Sequence, residues 1–179
     1  RSGGDRFGER PVLARLGGLT RRLRVGIAVA RQEALLQGAD AGVRRFRFGV
    51  DPTVFTDLQN RKQSVEVNLQ PFRLELHSGD NAEVTVTPSY ERLDDPFTIA
   101  RGVILPGGSD YDFIRYRVAL NTANQRVVAL RPSIEWGTFF SGDRTEFSLG
   151  VDVRPRPGVR VNTTYEYNAV TLPQGRFDT

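Results

Sequence analysis

The stretch VVALRPSIEWGTFFSGDRTEFSLGVDVR, residues 127–154, decides the fold because apolar and polar side chains alternate along both of its halves. In the first half, one face carries Val128, Leu130, Pro132, Ile134, Trp136, Thr138 and Phe140. In the second half, one face carries Phe147, Leu149, Val151 and Val153. Successive side chains of a strand point to opposite faces of a sheet, so this period of two predicts two amphipathic strands. The turn residues Ser141-Gly142-Asp143-Arg144 between them predict an antiparallel hairpin.

The same alternation recurs through most of the chain. It is found in residues 22–29, 45–50, 62–76, 115–120 and 159–167. The apolar phase slips between Leu69 and Phe72, and Pro71 predicts a bulge there because proline cannot donate to the ladder. We therefore expect an all-β fold, an antiparallel meander of long amphipathic strands, with roughly nine or ten strands.

We expect a single domain over residues 1–179, cut from a longer protein because the chain begins with Arg1 and ends directly after a turn. Residues 30–41 (ARQEALLQGADA) fit a short helix or loop insertion better than a strand. The turns SGD at Ser78 and SGD at Ser141 are 63 residues apart and are followed by the same alternation. If four strands separate them, residues 97–104 form a strand of their own and both turns lie at the same end of the sheet.

Composition excludes several kinds of chemistry. Cysteine is absent, which excludes disulfides, thiol catalysis and cysteine-bound zinc, and His77 is the only histidine. The acidic pairs Asp94-Asp95 and Asp110-x-Asp112 are interpreted as solvated turn residues. We predict no catalytic residue, no cofactor-binding residue, no cofactor and no metal site.

The charge pattern argues against a nucleic-acid partner, and the hydropathy argues against a helical membrane protein. The net charge is +4, and the arginines are spread over the strands instead of clustering on one element, so we predict no nucleic-acid partner. The mean hydropathy is −0.38, and no apolar run reaches the roughly 18 residues that a spanning helix needs.

A soluble β-sandwich also alternates, so the composition of the polar faces must discriminate between the two architectures. Lys62 is the only lysine, and the polar faces carry arginine with Glu, Asp, Asn, Ser and Gly. This mixture is typical of the hydrated interior of a barrel, whereas the outside of a sandwich is usually rich in lysine. We therefore favour a segment of an outer-membrane-type β-barrel in contact with membrane lipid, and keep the soluble sandwich as the alternative.

Two sets of side chains would carry the barrel arrangement. Aromatic residues near strand ends are expected at the lipid interface: Tyr116, Trp136, Phe140, Tyr165 and Tyr167. Charged residues on the opposite faces are expected in the lumen: Arg115, Arg117, Arg131, Glu135, Glu146, Asp152, Arg154, Arg160 and Glu166. Opposite charges on neighbouring strands can pair across the ladder, so we interpret the second set as an interior ion-pair network rather than a selective pore.

Four segments carry a resemblance to a known family: ERLDDPFTI (91–99), LPGGSDYDFIRYRV (105–118), WGTFFSGDR (136–144) and YEYNAVTLPQGRF (165–177). They resemble an uncharacterised outer-membrane β-barrel domain of Gram-negative bacteria that follows a family 9 type carbohydrate-binding module. The resemblance covers residues 90–177 and is poor over the first part of the chain. It implies a carbohydrate-binding module N-terminal to this chain and further strands after it, and it transfers no binding residue onto this sequence.

These observations lead to three functional hypotheses. The first is an outer-membrane barrel that is the anchoring or translocating component of a carbohydrate-binding outer-membrane protein, with membrane lipid as its partner and carbohydrate reached through the N-terminal module. The second is a soluble β-sandwich module that binds carbohydrate or protein. The third is a glycoside hydrolase-associated domain.

Overall fold

The computed structural model describes residues 42–100 and 102–179 together with the backbone of 21–23, and these residues form strands and turns without a helix. The long strands are β2 (Val43–Thr56), β3 (Lys62–Leu76), β4 (Asn81–Leu93), β7 (Ser109–Asn121), β8 (Val128–Phe139), β9 (Gly142–Arg156) and β10 (Val159–Leu172). The short strands are β1 (Arg21–Leu23), β5 (Phe97–Ala100), β6 (Val103–Leu105) and β11 (Gly175–Asp178). The predicted insertion at residues 30–41 lies outside the described residues.

Nine of these strands form one antiparallel sheet in the order β1-β2-β3-β4-β7-β8-β9-β10-β11. Each strand pairs with its neighbour along the chain, except that β4 pairs with β7 and bypasses β5 and β6, which form a separate two-stranded sheet. The prediction of an all-β antiparallel meander of long strands is therefore confirmed. The outermost strands β1 and β11 do not pair with each other in the sheet as described.

Connections between the strands fall at two ends of the sheet. What we call the first end holds three of them: residues 77–80, 122–127 and 157–158. The second end holds the other four between long strands or β11: residues 57–61, 94–108, 140–141 and 173–174. The two ends differ in chemistry, as described below.

The prediction that the Ser78 and Ser141 turns share one end is wrong. Three long strands, β4, β7 and β8, separate the turns, so Ser78 lies at the first end and Ser141 at the second. Residues 97–104 do not cross the sheet as the fourth strand. Gly102, at a φ of 80°, breaks this stretch into the two short strands of the β5–β6 hairpin.

The predicted bulge at Pro71 is confirmed. The register between β3 and β4 shifts between Leu69 and Phe72, with Leu69 opposite Val86 and Phe72 opposite Val84. The slip keeps apolar side chains on one face on both sides of the proline, because one extra residue reverses the alternation. The bulge therefore explains the change of apolar phase seen in the sequence.

Cross-strand register aligns like side chains into rows on the two faces of the sheet. One such row runs Val84, Val118, Ile134, Phe147, Tyr167, and the next includes Val86, Tyr116 and Trp136. We call this side the apolar face. The opposite side, whose rows include Thr85, Arg117, Glu135, Glu146 and Asn168, is the charged face.

The largest group of buried apolar residues lies at the second end on the charged face, between the main sheet and the β5–β6 hairpin. We call this group the end cluster: Leu93, Val103, Leu105, Phe140, Val170 and Leu172. Phe97, Ile99, Tyr111, Phe139 and Phe177 pack around it. The centre of the apolar face, by contrast, stays exposed, with Ile134 and Trp136 each about 40% accessible.

Candidate functional site

The nine charged residues predicted for the lumen all lie on the charged face of the sheet. The register places them there directly, because Arg117 is opposite Glu135, Glu135 is opposite Glu146, and Arg131 is opposite Gly150. Strands β7, β8, β9 and β10 supply them, so the alternation of four strands presents one continuous polar surface. Whether this surface lines a lumen stays a prediction.

An arginine cluster surrounds Asp152 near the first end. The Asp152 side chain is fully buried, and Arg160 Nε donates a hydrogen bond of 2.7 Å to its Oδ2. Arg154 Nε lies 3.4 Å from Oδ1, and Arg131 Nη1 lies 4.0 Å from Oδ2. One carboxylate therefore joins side chains from β8, β9 and β10, which holds the register of these three strands.

A second set of ion pairs lies closer to the second end. Arg115 Nη1 is 3.2 Å from Glu135 Oε1 and its Nη2 is 3.7 Å from Glu66 Oε2, so this arginine joins β3, β7 and β8. Arg144, which is buried, pairs with Glu146 and donates a 3.0 Å hydrogen bond to Asn168 Oδ1. These contacts form an ion-pair network of the predicted kind on this face.

Arg117 and Glu166 form no ion pair within the described part of the chain. Arg117 lines a hollow of about 230 Å³ together with Arg131, Ser133, Ser148 and Gly150. The hollow exists because neighbouring positions on the charged face of β7, β8 and β9 carry small side chains. A Cβ added at Gly150 would lie 3.2 Å from Arg131 Nε, so the glycine also makes room for that arginine. The hollow is polar, which suits water or a small polar solute.

Four of the five predicted interface aromatics lie on the apolar face. Tyr116 and Trp136 stack with ring centroids 6.1 Å apart, and Tyr165 lies 6.4 Å from the ring of Phe147. Tyr167 is opposite Phe147 in the register. All four are more than a third exposed, so they form a contiguous aromatic surface over β7 to β10.

Phe140 is the exception, and its prediction as an outward residue is wrong. Alternation would place it beside Trp136, but its φ of 52° turns the chain at the end of β8. The ring packs instead in the end cluster, edge-on to Tyr111 at 5.2 Å and near Phe113 at 5.4 Å. The sequence signal for this turn was the Ser141-Gly142 pair that follows, but a residue in left-handed conformation is not evident from periodicity.

Sequence reasoning also missed a buried carboxylate at the second end. Glu91, near the end of β4, is only 5% exposed, and its Oε1 has no hydrogen-bond partner in the described structure. Its register neighbours are Ser64 and Tyr111. The alternation of β4 places Glu91 on the charged face, but its burial depends on packing from other parts of the chain, which periodicity does not reveal.

The loops at the first end are tied together by Asp80. Its carboxylate accepts hydrogen bonds from the Ser78 hydroxyl at 2.7 Å, the Ala123 backbone N–H at 2.7 Å and Arg126 Nη2 at 2.6 Å. The Ser78 hydrogen bond, followed by those of Ala123 and Arg126, lowers the pKa of Asp80 below its usual value. The turn between β3 and β4 is thereby fastened to the β7–β8 loop.

One member of each acidic pair has ordinary structural partners. Asp94 accepts hydrogen bonds from Gln63 and Arg92, each at 3.0 Å. Asp110 accepts one from the Tyr90 hydroxyl at 3.0 Å and belongs to the start of β7, where the sequence had indicated a turn. His77 is exposed. Within residues 42–100 and 102–179, no group of three or more acidic or histidine side chains is arranged to hold a metal ion.

No helix that could cross a membrane is present among the described residues. No protein-family model, no curated protein and no solved structure matches the chain.

Proposed function

We propose that this chain is part of an outer-membrane β-barrel of a Gram-negative bacterium. In this proposal the apolar face contacts lipid and the charged face lines the interior. The barrel anchors a protein that binds carbohydrate through a module N-terminal to this chain. The observation that carries the proposal is the exposed apolar face, because proteins in water rarely expose a contiguous apolar patch of more than a few hundred Å².

The size of this face fits a bilayer. Across the strands, the face extends over the seven long strands from β2 to β10, a width of roughly 30 Å at about 4.8 Å between strands. Along β8 it runs from Val128 to Trp136, eight residue steps or about 27 Å of strand. A strand tilt of about 40° reduces this to about 20 Å along the membrane normal, close to the band of roughly 25 Å of outer-membrane barrels.

The charged face supports the same arrangement. Ion pairs such as Arg115–Glu135 and the arginines around Asp152 would be costly against lipid, whereas they are ordinary in a hydrated interior. The end cluster on the charged face is consistent with this assignment, because it contains residues of both β4 and β10 with two residues of β6 among them. A barrel that curls toward the charged face would bring β4 and β10, four strands apart in the sheet, to opposite sides of this cluster.

The anchoring role rests on the resemblance of residues 90–177 to the barrel domain that follows a carbohydrate-binding module. The described residues add that the charged face is occupied by ion pairs, which suits an anchor better than a wide channel. A soluble sandwich is the second candidate, since a second sheet could cover the same apolar face. The two candidates differ in what contacts Trp136.

Quenching of Trp136 fluorescence tests the proposal. Trp136 is the only tryptophan and lies on the apolar face about four residues from the middle of its run on β8, or roughly 10 Å from the bilayer centre at the same tilt. Quenchers attached high on the lipid chains should reduce its emission strongly, deep quenchers less, and aqueous iodide only modestly. The folded protein should also require detergent and change its gel mobility on heating.

A relocated fluorophore supplies the control. The double variant Trp136→Phe/Ile104→Trp moves the probe to the β5–β6 hairpin, which lies on the charged face. Its emission should respond little to lipid-borne quenchers. If the wild-type protein stays folded in solution without detergent and lipid quenchers leave Trp136 unaffected, the sandwich replaces the barrel.

A further inference from the structure

The β5–β6 hairpin lies on the charged face without hydrogen bonding to the main sheet. β4 ends at Leu93, β7 begins at Ser109, and these two residues are opposite each other in the register. The hairpin is thus an excursion of residues 94–108 that leaves the sheet and returns to the same place. Its backbone pairs only with itself among the described strands, so side-chain packing determines where it lies.

That packing is apolar and alternates along β6. Val103 and Leu105 are buried in the end cluster, whereas Ile104 between them is 54% exposed. The cluster residues that they join come from distant strands, since Leu93 is on β4, and Val170 and Leu172 are on β10. The hairpin therefore packs on the charged face together with residues of β4 and β10, which are separated by three strands in sheet order.

Two glycines and one hydrogen bond fix this position closely. A Cβ at Gly107 would lie 2.6 Å from the backbone carbon of Asp95, and one at Gly175 would lie 3.0 Å from Val103 Cγ2. The Gly108 N–H donates a 2.6 Å hydrogen bond to the Leu93 carbonyl. The Gly107 and Gly108 contacts hold the two ends of the excursion together beside Leu93, and the Gly175 contact places Val103 against β11.

We propose that the β5–β6 hairpin is a plug that closes the second end of the barrel interior to solutes. This inference rests on the proposed function, because a plug requires an interior. Barrels that do not conduct are commonly filled by inserted segments of their own chain. Here the inserted segment replaces a hydrated opening by a dry apolar cluster, while the ion pairs occupy the interior beside it. The chain would accordingly serve as an anchor that does not pass small solutes.

Uptake of small sugars by liposomes tests the plug. Liposomes containing wild-type protein should swell in iso-osmotic glucose no faster than liposomes without protein. Leu105→Ser removes a fully buried side chain that contacts the sheet only through packing, so it should release the hairpin and raise the swelling rate at least about tenfold. Ile104→Ser is the matched control, because the same change at the exposed neighbour should leave the rate unchanged.

A second variant is used in case the hairpin of the Leu105→Ser protein stays in place. Replacing residues 97–105 by a short Gly-Ser link removes the hairpin and leaves the long strands intact, and it should also raise the swelling rate. Heat-dependent gel mobility shows that each variant has inserted. If inserted wild type already admits glucose as fast as the variants, or if inserted hairpin-free protein admits none, the plug is wrong and the barrel stands. All of these measurements use the chain within its full-length protein, which supplies the remaining strands, and if that wild-type protein does not insert, both proposals are wrong.

Discussion

Replacing Leu149 by arginine gives a direct measure of what the apolar face contacts. Leu149 lies opposite Pro132 and Tyr165, and Pro132 is the middle of the apolar run Val128 to Trp136 on β8. Arginine at the bilayer midplane costs about 2–4 kcal/mol, which is roughly a 30- to 1,000-fold loss in the folding equilibrium.

Two positions offer control substitutions, one on β9 and one on the neighbouring strand β10. Ser148, on the charged face, is opposite Ser133 and Glu166, so Ser148→Arg should cost about 0–1 kcal/mol. Val161 shares the apolar face but pairs with Val153, four residues from Leu149. That offset is about 13 Å of strand, or about 10 Å of depth at a tilt of about 40°, so Val161→Arg should also cost only about 0–1 kcal/mol.

Reversible folding into lipid vesicles over a urea series, followed by Trp136 fluorescence, gives the three free energies. The order expected is a large cost for Leu149→Arg and small costs for the other two. Thicker bilayers should raise the cost of Val161→Arg, because they place that position deeper. A sandwich core would show no dependence on lipid thickness. Equal costs for Leu149→Arg and Ser148→Arg would refute the assignment of the two faces.

Three further predictions concern the ends of the sheet. Small tags inserted at Gly79 and Ser141 should be labelled from opposite sides of the membrane, and labelling from one side would contradict the three-strand spacing. The folded-state pKa of Asp80 is lowered, so its carboxylate contributes stability above its ordinary pKa of 3.8, and this stability is lost as the pH falls below that value. Protection of the Ala123 amide from hydrogen exchange should therefore fall at acidic pH and stay constant between pH 5 and 7. Glu91→Gln should raise the urea midpoint of unfolding, since it removes a buried charge without a hydrogen-bond partner at Oε1, and a lowered midpoint would show that the carboxylate has a structural role.

The faces of the long strands could be predicted from the sequence because alternation is a local property. Ile134 and Phe147 were each placed on an apolar face by their immediate neighbours, and the register brings them opposite each other. The charges followed from the same rule. The ion-pair partners of these charged residues could not be predicted. The pairing of Arg115 with Glu135 depends on how far the side chains reach across strands and not on spacing along the chain.

Two features at the second end could not be predicted from periodicity. Residues 97–104 have the length of a strand, and only Gly102, in left-handed conformation, shows that the chain reverses within them. Phe140 continues the apolar alternation of β8, yet its positive φ moves it to the other face. In both cases a single backbone dihedral changes the direction of everything that follows, and alternation carries no information about it.

The bypass from β4 to β7 also bears on the order in which the sheet can assemble. Most neighbouring strands are joined by connections of two to six residues, which favours pairing hairpin by hairpin. Joining β4 to β7 closes a loop of residues 94–108, at an entropic cost of about 2 kcal/mol. Early formation of β5 and β6 shortens the part of this loop that is still free. The halves β2–β4 and β7–β10 would then fold as separate units, and their joining would be the slow step.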